Sequence, residues 1–142
     1  MAKTAERVDN IAGTGGSMHT KVEIADSGQI TGTTRTWTKV DLRGFTGSVQ
    51  VVVFTPDRNG WISRVYSYGV SGEFFGGNDR TEVWQENMPS EIASKVDRVV
   101  IIHNWNPQWD RLLKDILSGA RQFSDAYDEL AGTFGPFMIA LS

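Results

Sequence analysis

The sequence contains no cysteine. Disulfide frameworks, thiolate metal sites and cysteine nucleophiles are therefore excluded. It has two histidines, His19 and His103, too few for a zinc or copper centre built mainly on imidazole. Long hydrophobic runs are missing too. The longest are Val51–Phe54, Val99–Ile102 and Phe137–Leu141, against the roughly 20 residues of a membrane-crossing helix. The first residues lack the apolar core of a secretory signal, so a cytoplasmic chain with no membrane span is expected. No three basic residues cluster, whereas a duplex-binding face needs several aligned Lys and Arg. No nucleic-acid partner is expected. Asp57–Gly60 suggests a calcium turn but lacks the other ligands of an EF-hand loop. Gly13-Thr-Gly-Gly16 has no Gly-Lys-Ser/Thr after it, so it is not a phosphate loop. Ser63, Ser67 and Ser71 are not set in Gly-x-Ser-x-Gly. No metal and no cofactor are expected.

What is present is a chain of 142 residues, 39% hydrophobic and 22% charged, with a formal net charge of −3. That balance suits one folded domain and carries too little charge for disorder. Residues 1–17 run into Ala12-Gly-Thr-Gly-Gly-Ser17 and read as a flexible N-terminal arm. Residues 18–142 then form a single β-rich domain. Strands are expected at 19–25, 29–42, 48–55, 61–71, 80–86 and 99–105. Two signals are sharp. The run through Val49, Val51, Val52, Val53 and Phe54 marks a strand buried on both faces. Pro56–Gly60 is a turn that joins its neighbours into a hairpin. Residues 89–96 suit a short helix with proline at its start.

The period changes at Asn106-Pro107, a good helix start. From Trp109 through Leu112, Leu113, Ile116, Leu117, Ala120, Phe123, Tyr127 and Leu130, apolar residues recur every three or four positions. This predicts one amphipathic helix of about 25 residues, with Ser118-Gly119 as a point of kinking. Asp125, Asp128 and Glu129 crowd its C-terminal end, the wrong sign for the helix dipole, so arginine partners are expected for them. Phe137–Leu141 reads as a last strand or a buried tail. The fold class expected is α+β: an antiparallel β-sheet or partly closed barrel of about six strands, followed by a long C-terminal amphipathic helix.

Five Trp, three Tyr and seven Phe make the chain rich in large rings. Alternate residues of a strand share a face. Arg35 therefore falls with Trp37, Arg64 with Tyr66 and Tyr68, Glu82 and Glu86 with Trp84, and His103 with Trp105. Flat apolar surface mixed with a few polar groups is what a ligand site needs. A sugar suits it well, stacking its C–H face on a ring while charged side chains bond its hydroxyls. The candidate ligand-binding residues are Arg35, Trp37, Arg64, Tyr66, Tyr68, Trp84 and Trp105. The expected partner is a small-molecule or sugar ligand. Packing offers a competing explanation, in which the rings rim a core and Arg35 and Lys39 drape over Trp37.

His103 is the best lone candidate for acid–base chemistry. Glu82 and Glu86 are roughly 13 Å apart on an extended strand, wider than paired glycosidase carboxylates. Asp79-Arg80 reads as a loop-stabilising ion pair. Three functions follow. The first is a non-catalytic, lectin-like ligand-binding protein. The second is a small cofactor-independent enzyme, its pocket lined by Trp and Tyr, with His103 as acid or base and Glu82 or Glu86 as partner. The third is a structural protein of a homo-oligomeric assembly, with the rings buried between subunits.

Overall fold

A computed structural model of the chain describes residues 2–11, 15–38, 45–70, 79–104 and 107–142. Two antiparallel sheets lie face to face, and helices cover the back of the second. The first sheet runs in the order β1 (Lys3–Ile11), β2 (Gly16–Ile24), β3 (Gln29–Thr38), β7 (Asp79–Asn87). The second is built around β4 (Phe45–Phe54). One edge of β4 pairs with β5 (Gly60–Ile62) and β6 (Tyr66–Val70), the other with β8 (Arg98–His103), which in turn pairs with β9 (Ile139–Ala140).

The middle layer explains the valine-rich runs. In β4, Val49, Val51 and Val53 face the first sheet and meet Met18, Val22, Ile24 and Ile30. Val52 and Phe54 face the helices and meet Phe123, Ala126, Leu130 and Phe134. In β8, Val99 and Ile101 take the first side, Val100 and Ile102 the second. A strand with protein on both faces has no polar alternation to show.

Three features depart from the sequence expectation. The described residues form nine strands rather than about six, and the sheets do not close into a barrel. Residues 3–11, read above as part of an arm, are β1, paired with β2 from Lys3↔Ile24 to Ile11↔Gly16. Of the segment expected as one strand over 61–71, the described residues form two, β5 and β6, and Ser71 lies outside them. At the split the Ser63 N–H still bonds the Val51 carbonyl (2.9 Å), but the Val51 N–H bonds the Ser63 hydroxyl (2.8 Å), which donates to the Arg64 carbonyl (2.8 Å).

The long helix is also two helices, α2 (Pro107–Leu117) and α3 (Phe123–Phe134), following a short α1 (Ser90–Ala93). Gly119 sits at φ +80° and Gln122 is extended, so the helical backbone cannot run through. The break puts Asp125 in the first turn of α3, where its charge suits the dipole. Asp128 and Glu129 pair with Arg58 (2.9 Å) and Arg121 (2.6 Å). No helix among the described residues is long and apolar enough to cross a membrane.

The two sheets meet along two seams, β6 with β7 and β1 with β8. Rings close the first: Trp84 stacks on Tyr66, centroids 4.8 Å apart at 14°. The chain's own end closes half of the second. β9 pairs with Arg98 and Val99, Leu141 N–H bonds the Asp97 carbonyl (3.1 Å), and Thr4 and Ser142 exchange backbone bonds at 2.9 and 3.1 Å. Past Val99, no strand among the described residues pairs with this edge of β8.

Two glycines test the packing in opposite directions. A Cβ on Gly32 would lie 2.1 Å from Trp84 Cε2, whereas one on Gly132 of α3 meets nothing within 4 Å. Gly32→Ala is expected to lower stability by about 1–3 kcal/mol. Gly132→Ala is expected to raise it by about 1 kcal/mol through helix propensity. Urea unfolding of the two variants checks both signs.

Candidate functional site

The residues singled out in the sequence fall into separate groups. Arg35 and Trp37 are on the outer face of the first sheet. The Arg35 guanidinium lies 4.3 Å over the Trp37 ring and forks onto Asp79 at 2.7 and 3.1 Å. Asp79 therefore pairs across the sheet rather than with Arg80, which bonds Glu82 (2.7 Å). Arg64, Tyr66, Trp84 and Glu86 come together at the β6–β7 seam. Glu86 Oε1 accepts from the Tyr66 hydroxyl (2.7 Å) and from the Arg64 backbone N–H (2.8 Å). Burial first, and then Glu86, push the Tyr66 phenol up to about 12. Tyr68 lies close by under Arg80 (5.7 Å), its phenol raised by burial and by Glu82. Trp105 is outside the described residues.

Glu82, Trp84 and Glu86 share the inward side of β7, an edge strand. Inward-pointing charge on an edge keeps a second chain from pairing with it. β1, the other edge of the same sheet, is built alike, with Lys3, Arg7 and Asp9 alternating on its inward side. Lys3 Nζ bonds the carbonyl of Val96 (2.9 Å) near the end of α1.

His103 lies at the second seam, and its side chain is fully shielded from solvent. Its partner is not Glu82 or Glu86 but Asp9. Nδ1 is 2.6 Å from Asp9 Oδ2, and Nε2 is 2.8 Å from Thr20 Oγ1. Thr20 Oγ1 in turn bonds Thr34 Oγ1 (2.9 Å). A carboxylate only accepts, so Nδ1 carries the proton; the neutral ring then accepts at Nε2 from Thr20. Burial holds the imidazole below its ordinary value, although Asp9 pulls the other way. Burial raises Asp9, but hydrogen bonds from Arg7 and His103 outweigh it and hold the carboxyl low. Asp9, His103 and Thr20 connect in the order of a nucleophile triad. Thr20 is fully buried, however, and does not line the cavity beside it.

That cavity, about 250 Å³, occupies the half of the β1–β8 seam that the C-terminal tail leaves open. Arg7, Asp9, Asn10 and Ile11 form its β1 wall. Its opposite wall is the consecutive run Val100–Asn104. Side chains alternate along a strand, so a consecutive run reaches one cavity through its main-chain edge. Trp109, Phe134 and Phe137 complete it, with Trp109 edge-on to Phe134 at 5.2 Å. Arg7 Nε bonds Asp9 Oδ2 (2.8 Å), and the guanidinium lies 5.1 Å over the Phe137 ring. The Arg7 terminal nitrogens and Asp9 Oδ1 have no hydrogen-bond partner among the described residues. Both side chains are 26% exposed. Among the described residues, no group of His, Asp and Glu is arranged to hold a metal. No family model, curated protein or solved structure matches the chain.

The threonine relay makes a direct test. Thr20→Val leaves His103 Nε2 buried without a donor and is expected to cost about 1–3 kcal/mol. Thr33→Val, on the exposed face of β3, is expected to stay within about 0.5 kcal/mol. Chemical denaturation of the two variants separates them.

Proposed function

We propose that this is a non-catalytic binding protein that holds a sugar-sized ligand in the cleft between β1 and β8. One observation carries the reading: among the described residues the terminal nitrogens of Arg7 and Oδ1 of Asp9 have no hydrogen-bond partner, and both side chains line the same cleft as the ring of Trp109. Adjacent hydroxyls on a pyranose need that donor–acceptor pair, and the ring's C–H face needs the aromatic wall. The edge of β8 past Val99, with no partner strand among the described residues, adds main-chain groups of both kinds. At about 250 Å³ the cleft is smaller than the roughly 300–1,000 Å³ of sites for drug-sized molecules, so the ligand is a single ring or a short saccharide end. Binding rather than catalysis is supported by the internal bonds that occupy both nitrogens of His103.

Isothermal titration of a panel of mono- and disaccharides tests this. Arg7→Met is expected to weaken binding about tenfold or more, the loss of a charged hydrogen bond. Trp84→Phe, at the opposite seam, is expected to leave it unchanged. The reading fails if no saccharide binds, or if the Trp84 variant loses binding while the Arg7 variant keeps it.

A further inference from the structure

We propose that His103 is the positioning residue of this cleft and that acid disables the cleft by charging it. The inference rests on reading the β1–β8 cleft as the ligand site, and it concerns how that site is regulated.

The geometry is a strut between sheets. From β8, one imidazole holds Asp9 on β1 and Thr20 on β2, and through Thr20 it reaches Thr34 on β3. It also fixes the carboxylate of Asp9, which lines the cleft. The network has one direction: Thr34 donates to Thr20, Thr20 to Nε2, and Nδ1 to Asp9. A proton added at Nε2 breaks that order. Nε2 becomes a donor and meets a hydroxyl that is itself donating, so Thr20 must turn its hydrogen onto Thr34, which must then turn its own away. Both threonines are fully buried, so the displaced hydrogen is out of reach of bulk solvent.

The groups around His103 are few. β1 presents Asp9 and Arg7, and β2 presents Thr20 and, farther off, His19. β3 presents Thr34, and β4 presents Val49 and Val51, with no charge. On the helix side of β8, Asp110 of α2 is paired with Lys114 (2.8 Å). Asp9 favours the imidazolium; burial first, then Arg7 and His19, oppose it and outweigh Asp9, so the ring is held below its ordinary value of 6.5. The unfolded chain then binds more protons than the folded one, so stability is complete above about pH 6.5 and falls as the pH drops below it. The loss concentrates where the strut holds, on β1.

The test uses the free, isotope-labelled protein and needs no ligand. Amide hydrogen exchange along β1, corrected for intrinsic rates, is compared at about pH 7.5 and about pH 5. Protection is expected to fall about tenfold, a local opening of β1, in the wild type and in His19→Gln. It is expected to hold in His103→Gln. If that variant does not fold, the wild-type His103 ring nitrogens are titrated directly. A midpoint below 6.5, shared by the amides of Asp9 and Thr20, supports the proposal. Equal acid loss in His103→Gln, loss abolished by His19→Gln instead, or a His103 midpoint at or above 6.5 overturns it. Failure of the saccharide reading shows separately, as absence of binding at about pH 7.5.

Discussion

The cleft exists because the C-terminal strand stops short. β9 covers Arg98 and Val99, and the residues after it cross to Thr4 on the first sheet. One stretch of tail thus stitches two sheets together at one end of their seam. At the other end, no strand among the described residues pairs with the edge of β8 past Val99. Backbone N–H and C=O groups are obligatory hydrogen-bonding groups. An unstitched edge therefore needs water, side chains or a ligand, and the polar lining of the cavity follows from that need.

The two seams solve one problem in opposite ways. At β6–β7, rings fill the gap, with the Trp84 indole packed against a glycine and stacked on Tyr66. At β1–β8 the described residues leave a cavity of about 250 Å³. Asp9, Arg7 and His103 form a bonded cluster at its base. A buried ionic group is costly unless its bonds are complete. Here both nitrogens of His103, Nε of Arg7 and Oδ2 of Asp9 are bonded within the cluster or to Thr20.

Part of this was legible in the chain. The valine run of β4 and the turn at 56–60 depend on neighbours in sequence, and both read correctly. The helix start at Pro107 and the α1 segment after Pro89 did so for the same reason. The break between α2 and α3 left little trace, because apolar spacing continues across residues 118–122; only Ser118-Gly119 hinted at it. β1 was hidden by its glycine-rich neighbour and its charges. Yet Lys3, Ala5, Arg7, Asp9 and Ile11 alternate with Thr4, Glu6, Val8 and Asn10, a period-two pattern with the inward charges typical of an edge strand. The same edge rule gives a second source for the mixture of Glu82, Trp84 and Glu86, which in sequence resembles a ligand-facing surface. The functional pairing was the least accessible part. His103 stood out by its chemistry, but Asp9 lies 94 residues away, and no local pattern links them.

The most direct measurement is a chemical-shift map of the amide spectrum as saccharides are added to labelled protein. A ligand in the cleft moves the signals of Arg7–Ile11, Val100–Asn104 and the Trp109 indole together, and leaves those of Tyr66 and Trp84 in place. Shifts confined to Arg35 and Trp37 on the outer sheet face, or to the β6–β7 seam, would contradict it.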